Sequence, residues 1–297
     1  MPAKVVLVRG RGARPEPGLT DEATVGRMLE RGFSLLTGRT SAAEAVRAIF
    51  GPSDRVGLKI NGIAGRALTT PPEVALPLAR LLVGGGLAAR RITIWDRTNR
   101  EIREAGYKLN LDGNEFRVFG TDTADVGYGV EPLVHRQIGS LFSRIQTNLV
   151  TASVSLAVLK DHGLAGLTAG MKNYFGAVHN PNKYHDTNCD PYVAEVFDSP
   201  PVREKHRLTI LDALTIQYHR GPSYHARWAE NAETLIFSLD PVAADAVGWR
   251  VVEGLRKAKG LPSLAEEKRA PGYIATAERL GLGKAGPDEI QVVEDEV

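Results

Sequence analysis

VGLKINGIAGRALTTPPEVALPLARLLVGGGLAARRITIWD, residues 56–96, is the stretch whose reading decides the fold. Val56–Ile60 is an apolar run of strand length, and the polar turn Asn61–Arg66 ends it. Thr70-Pro71-Pro72-Glu73 then offers a helix start: a hydroxyl, prolines in the first turn and an acid near the positive end of the helix dipole. Val74, Leu78, Leu81 and Leu82 give that helix an apolar stripe, and Gly84-Gly85-Gly86 stops it. Ile92–Trp95 is a second strand, delivering Asp96 at its end. Strand, helix, strand in this order predicts a βαβ unit and a parallel sheet.

The same alternation extends outward. Val5–Val8 reads as a first strand, with Thr20-Asp21-Glu22 capping an amphipathic segment behind it. Leu149–Leu159, Leu208–Leu211 and Leu235–Leu239 read as further strands, the last two followed by Asp212 and Asp240. Asp240-Pro241 opens a helix through Ala243, Val247, Val251 and Leu255. The expectation is a single α/β domain over residues 1–297, with a mainly parallel sheet flanked by helices. An irregular insertion over residues 108–146 interrupts it, because Asn110–Val130 is rich in Gly, Asp and Asn. No internal repeat is present.

Composition narrows the partners. The chain has 297 residues and is 43% hydrophobic, enough to bury a substantial core. Its 37 basic and 35 acidic residues are dispersed, so no stripe of positive charge suggests nucleic acid as a partner. No run approaches the ~20 apolar residues that cross a bilayer, so no membrane association is expected. The opening MPAKVVLVRG lacks the pattern of a signal peptide, and the cytoplasm is the expected compartment. A homo-oligomer is compatible with all of this. The one cysteine, Cys189, excludes a disulfide framework and an all-cysteine zinc or iron–sulfur site within the chain.

Ligands of open α/β sheets sit beyond the carboxyl ends of the strands. On the assignment above, those ends carry Lys59, Asn61, Asp96, Lys160, His162, Asp212 and Asp240. The densest polar stretch runs from Lys160 to His185. A helix is predicted to begin near Leu164, burying Leu164, Leu167, Met171, Phe175 and Val178. Thr168, Lys172 and His179 then fall along one edge of it, a hydroxyl, an ammonium and an imidazole suited to a phosphate or carboxylate. The segment is not a Walker A loop: Met171 separates Gly170 from Lys172, and Asn173 stands where a hydroxyl is needed. Gly84-Gly85-Gly86 lies at a helix end and is not a dinucleotide fingerprint. His179 and His185 are six residues apart, as are His219 and His225, which suggests two loops converging on a divalent transition metal. Cys189 would be a nucleophile only if a histidine approached it.

These residues make the chain resemble the domain-of-unknown-function 362 family. The matching landmarks are VGLKINGIAG, TTPPEV, ITIWDRTN, LAVLKDHGLAGLTAGMKNYFG, LTILDAL and SLDPVAADAV, in that order over nearly the whole chain. The resemblance implies an α/β domain and directs attention to Lys59, Asn61, Asp96, Lys160, His162, Lys172, Asn173, Asp240 and Asp245. Relatives often carry ferredoxin-type cysteine clusters. With one cysteine here, that iron–sulfur role does not transfer, and no iron–sulfur cluster is expected.

The function expected from the residues is an enzyme acting on a small anionic substrate with help from a metal. In that reading Lys160, His162, His179 and Asp96 carry the chemistry, and Lys59, Asn61, Thr168, Lys172, Asn173 and Asp240 bind substrate. His179, His185, His219 and His225 form the metal shell. A non-catalytic ligand- or cofactor-binding protein and a redox-partner module without its own cluster remain as alternatives.

Overall fold

A computed structural model describes every residue of the chain except Pro17 and Gly113, the latter lying within the expected insertion. In chain order the principal elements are β1 (Ala3–Arg9), α1 (Glu22–Thr37), α2 (Ala42–Ile49), β2 (Val56–Lys59), α3 (Pro72–Gly84), β3 (Ile92–Asp96), α4 (Asn99–Glu104), β4 (Arg117–Gly120), β5 (Leu133–His135), β6 (Ile138–Ser140), β7 (Ala152–His162), β8 (Gly166–Thr168), α5 (Tyr192–Asp198), α6 (Pro200–Arg203), β9 (His206–Gln217), β10 (Ala229–Ser238), α7 (Pro241–Ala258), α8 (Tyr273–Arg279) and β11 (Ile290–Glu296).

Nine strands form one sheet in the order β11-β1-β10-β9-β7-β2-β3-β4, with β8 pairing on β7. The run β9-β7-β2-β3-β4 is parallel throughout. β10 runs antiparallel to both of its neighbours, and β1 pairs in parallel with β11. This is the α/β architecture expected, a mostly parallel sheet flanked by helices. The insertion is less separate than its composition suggests: β4 joins the main sheet beside β3, and β5 and β6 form a hairpin of their own.

Each face of the sheet carries its own hydrophobic core. One gathers Met28, Leu29 and Phe33 of α1, Val46 of α2, and Val74, Leu78 and Leu82 of α3 over Val56 and Leu58 of β2. The other gathers α5, α7 and α8 over Ala157 and Leu159 of β7. Strands buried on both faces must be apolar almost throughout, and all eleven residues of β7 are buried. Each fully buried Leu or Val side chain contributes about 1.5–3 kcal/mol. α3 begins as expected except for its cap. Pro71 occupies the N-cap without a side-chain bond, and the Thr70 hydroxyl donates to the Leu156 carbonyl at 3.0 Å instead.

Two strand assignments are corrected. β9 continues to Gln217, so Asp212 lies inside the strand, buried, instead of at its end. β10 ends at Ser238 but runs against the parallel block. Asp240 is therefore carried to the opposite end of the sheet from Lys59, Asp96 and Lys160. There it caps α7, accepting from the Val242 and Ala243 amides at 2.9 Å each, near Met1 and Lys4 at the start of β1.

The helix expected from Leu164 does not form. β7 reaches His162, a tight turn follows, and β8 folds back with Lys160 opposite Thr168. Gly166 permits this turn: its φ is +73°, and a Cβ there would lie 2.0 Å from the Arg269 carbonyl oxygen. A 3₁₀ turn, Lys172–Ala177, is all the helix that remains.

Candidate functional site

β2 and β3 stop side by side, with Lys59 paired to both Trp95 of β3 and Ser155 of β7. β7 runs on past that register to Lys160 and His162, so its extension and the β8 hairpin wall off the space beyond the ends of β2 and β3. A pocket of about 250 Å³ occupies this space. It is lined by Lys59, Asn61, Asp96, Lys160, His162, Thr168, Lys172 and Asn173, all expected from the sequence as catalytic or substrate-binding residues, and by His185, expected as a metal ligand.

On the β2–β3 side the polar groups saturate one another. The Lys59 ammonium donates to Asp96 Oδ1 at 2.6 Å, to the Ile60 carbonyl at 2.7 Å and to Asn173 Oδ1 at 3.2 Å. Asp96 also accepts from the Arg97 and Gly62 amides, both at 2.7 Å. Asn173 donates to the Lys59 carbonyl at 2.7 Å and to the Ser155 hydroxyl at 3.2 Å. Gly176 must be glycine for reasons of space. A Cβ there would sit 2.7 Å from Lys59 Nζ and 2.9 Å from Asp96 Oδ1.

The β7 side is different. Lys160 is fully buried, and among the described residues its ammonium reaches only neutral oxygens, Asn61 Oδ1 and the Leu68 carbonyl, each at 3.3 Å. Burial, with repulsion from Lys172 added, lowers its pKa to about 7. Lys172 lies 3.3 Å from His185 Nε2 and 4.5 Å from the centre of the Phe175 ring. Burial lowers it to about 8.

The hydrogen bonds fix both histidine tautomers. His162 Nδ1 accepts from the Leu164 and Ala165 amides at 3.2 and 3.1 Å, so its remaining proton is on Nε2. Burial, reinforced by Lys172, lowers its pKa to about 2, and it stays neutral. His185 Nδ1 faces the Pro181 carbonyl at 3.1 Å and must donate, which leaves the Nε2 lone pair for Lys172. The two rings stack, with centroids 5.6 Å apart. His162 is thus a donor to the pocket, and its lone pair is not free for general-base work.

The four-histidine metal shell is not assembled. His185 lines the pocket, while the exposed His179 packs edge-on against Tyr128. His219 lies against Trp228 with Nδ1 3.3 Å from Arg256, and His225 is exposed. Among the described residues, no group of three or more His, Cys, Asp or Glu side chains could hold a metal ion. His179 also leaves the expected catalytic set, and Asp240 leaves the substrate-binding set, because neither lines this pocket. Cys189 is buried, and burial pushes its thiol up against the pull of Lys172.

Asp245 acts from behind. It accepts from the Gly170 and Met171 amides at 2.7 and 3.2 Å and from the Tyr273 hydroxyl at 3.3 Å, fixing the backbone that presents Lys172 and Asn173. Burial pushes its carboxyl up to about 7. Arg97 and Glu101 pair with each other on the pocket wall and were not expected there. Arg97 directly follows Asp96 in the sequence, and Glu101 lies four residues beyond Arg97.

The model of the family described as a domain of unknown function, DUF362, matches residues 56–250, from the first strand of the βαβ unit well into α7. The chain belongs to the DUF362 family. The matched span contains every residue of the DUF362 pocket described above. No curated protein matches the chain. Among solved structures, it is similar to the crystal structure of a protein from Thermotoga maritima, at 10% identity and a TM-score of 0.39. That similarity covers 69% of this chain, which spans about half of the other protein's length (53%). No helix is long and apolar enough to cross a membrane among the described residues.

Proposed function

We propose that the pocket binds a small carboxylate or phosphate and moves a proton on it. One observation carries the reading. Two buried lysines, Lys160 and Lys172, share a pocket, and among the described residues neither has a carboxylate within salt-bridge distance. Buried charges are normally paired, so an anion from solution is the partner that would complete this arrangement. The His162 Nε2–H adds a neutral donor to the same wall. Lys172 and His185 together offer one proton between an amine and an imidazole, the arrangement general acid–base chemistry requires.

The test is calorimetric titration with inorganic phosphate and with acetate and lactate, on the parent chain and on Lys160→Met and Lys172→Met. Methionine keeps the stem and removes the charge. Loss of one charge-assisted contact should weaken binding about tenfold or more in each variant. Binding should also weaken as pH rises through about 7 to 8, because the lysines then lose the charge that recognises the anion. Equal affinity in all three proteins, each shown to be folded by circular dichroism, overturns the proposal.

A further inference from the structure

We infer that the substrate class is a small oxo acid, a carboxylate that also carries a ketone or aldehyde, and that Lys160 Nζ forms an imine with its carbonyl carbon. The inference rests on the anion-binding reading above and goes past it by assigning different work to the two lysines.

Their surroundings separate them. Lys172 lies over the face of Phe175 and beside the lone pair of His185 Nε2, and both contacts favour an ammonium. It is the group suited to hold a carboxylate. Among the described residues Lys160 has neither an aromatic face nor a nitrogen acceptor, only two long contacts to neutral oxygens. It is fully buried yet lines the pocket, so a reagent reaches it only from the pocket side. A desolvated amine close to a second cationic group is the setting in which a lysine becomes a nucleophile near neutral pH. The lowering of Lys160 to about 7 agrees with this geometry.

The step balances without a further reagent. The Nζ lone pair adds to the carbonyl carbon and the π electrons move to oxygen. The two amine hydrogens leave with that oxygen as water, and a C=N double bond remains. Protonation of the imine nitrogen then turns it into an electron sink for bonds one carbon away. Asn61, whose amide oxygen is 3.3 Å from Nζ, and the Nε2–H of His162 are the neutral groups on hand to hold the departing oxygen.

Trapping tests this directly. The folded chain is incubated with pyruvate or acetoacetate, reduced with borohydride, and examined by intact mass and peptide mapping. The expected result is one reduced adduct, mapped to Lys160 and absent in Lys160→Arg, which keeps the charge but cannot form an imine. Lys172→Met should still label at Lys160 but need about tenfold more oxo acid, since only carboxylate binding is lost. Lactate and phosphate, which have no ketone, should protect against labelling. Absence of an adduct with both oxo acids, or adducts at Lys172 or at exposed lysines only, overturns the inference. If phosphate and lactate still bind by calorimetry in that case, the anion site stands and the imine alone falls. If they do not bind, both readings fall together.

Discussion

On the β2–β3 side of the pocket a buried lysine meets a carboxylate, an amide oxygen and a carbonyl, all within 3.2 Å. On the β7 side two buried lysines meet amide and carbonyl oxygens, an imidazole and an aromatic ring, with no hydrogen-bond contact of either ammonium shorter than 3.3 Å among the described residues. The two sides lie in one pocket and use the same residue type. The difference teaches how to separate scaffold from site, because the cost of burying an ammonium is met inside the protein at Lys59 and left unmet at Lys160 and Lys172. Burial alone would not have told them apart.

The sharpest way to break this comparison is to remove the ammonium on the saturated side. Lys59→Met strands Asp96 as a buried charge and should cost about 3–5 kcal/mol, the range for breaking a buried pair. Denaturant unfolding measures it. A loss under about 1 kcal/mol would mean that Lys59 is no more scaffold than Lys160. Gly176→Ala probes the same side by volume. The new methyl collides with Lys59 Nζ and Asp96 Oδ1, and overpacking of this kind costs about 1–3 kcal/mol. Thermal unfolding should show the loss, with phosphate binding weakened only as far as the Lys59–Asn173 contact shifts.

The two ends of the sheet offer a milder contrast. Asp240→Ala removes the α7 cap and should cost about 1 kcal/mol. It should leave phosphate and carboxylate affinity unchanged, since β10 carries Asp240 away from the pocket. A variant that loses anion binding while folded would return Asp240 to the site and contradict the strand directions.

The sequence signals divide along the same lines. The β2-α3-β3 unit was legible because proline and glycine separate two short apolar runs from a segment with a period of about 3.6. That placed Lys59 and Asp96 at neighbouring strand ends. Leu164, Leu167, Met171, Phe175 and Val178 mimic a helical stripe, but Gly163, Gly166, Gly170 and Gly176 interrupt it, and a hairpin forms instead. Pocket residues were recovered there by their proximity in sequence, not by helical phase. The direction of β10 was not legible, because strands read as Leu208–Leu211 and Leu235–Leu239 leave a connection long enough for a parallel crossover. In the structure both strands are longer, and the link that remains, Tyr218–Trp228, is shorter than the dozen or more residues a parallel crossover needs. Equal spacing within two histidine pairs carried no information about where the loops lie, and His179 and His219 pack against different aromatic rings.

The last test probes the unsaturated side through pH. In the unfolded chain Lys160 has its ordinary pKa near 10.5, and in the folded chain burial and Lys172 bring it to about 7. Between those values the unfolded state binds more protons, so stability rises with pH across the window and is lost again as pH falls toward 7. Lys172, lowered to about 8, contributes with the same sign over a narrower range. Asp245, raised to about 7, has the opposite sign but acts between about 4 and 7, below the window. Comparing the parent chain with Lys160→Met cancels what the two share. Urea unfolding at several pH values from about 7 to 10 should show the parent gaining on the variant as pH rises. Saturating phosphate should flatten that gain, because a bound anion keeps the folded lysine charged and brings its pKa back toward the unfolded value. A difference that does not change with pH, with or without phosphate, would mean that Lys160 is already charged in the folded chain. It would then have to be stabilised as completely as Lys59, and the contrast between the two sides of the pocket would no longer hold.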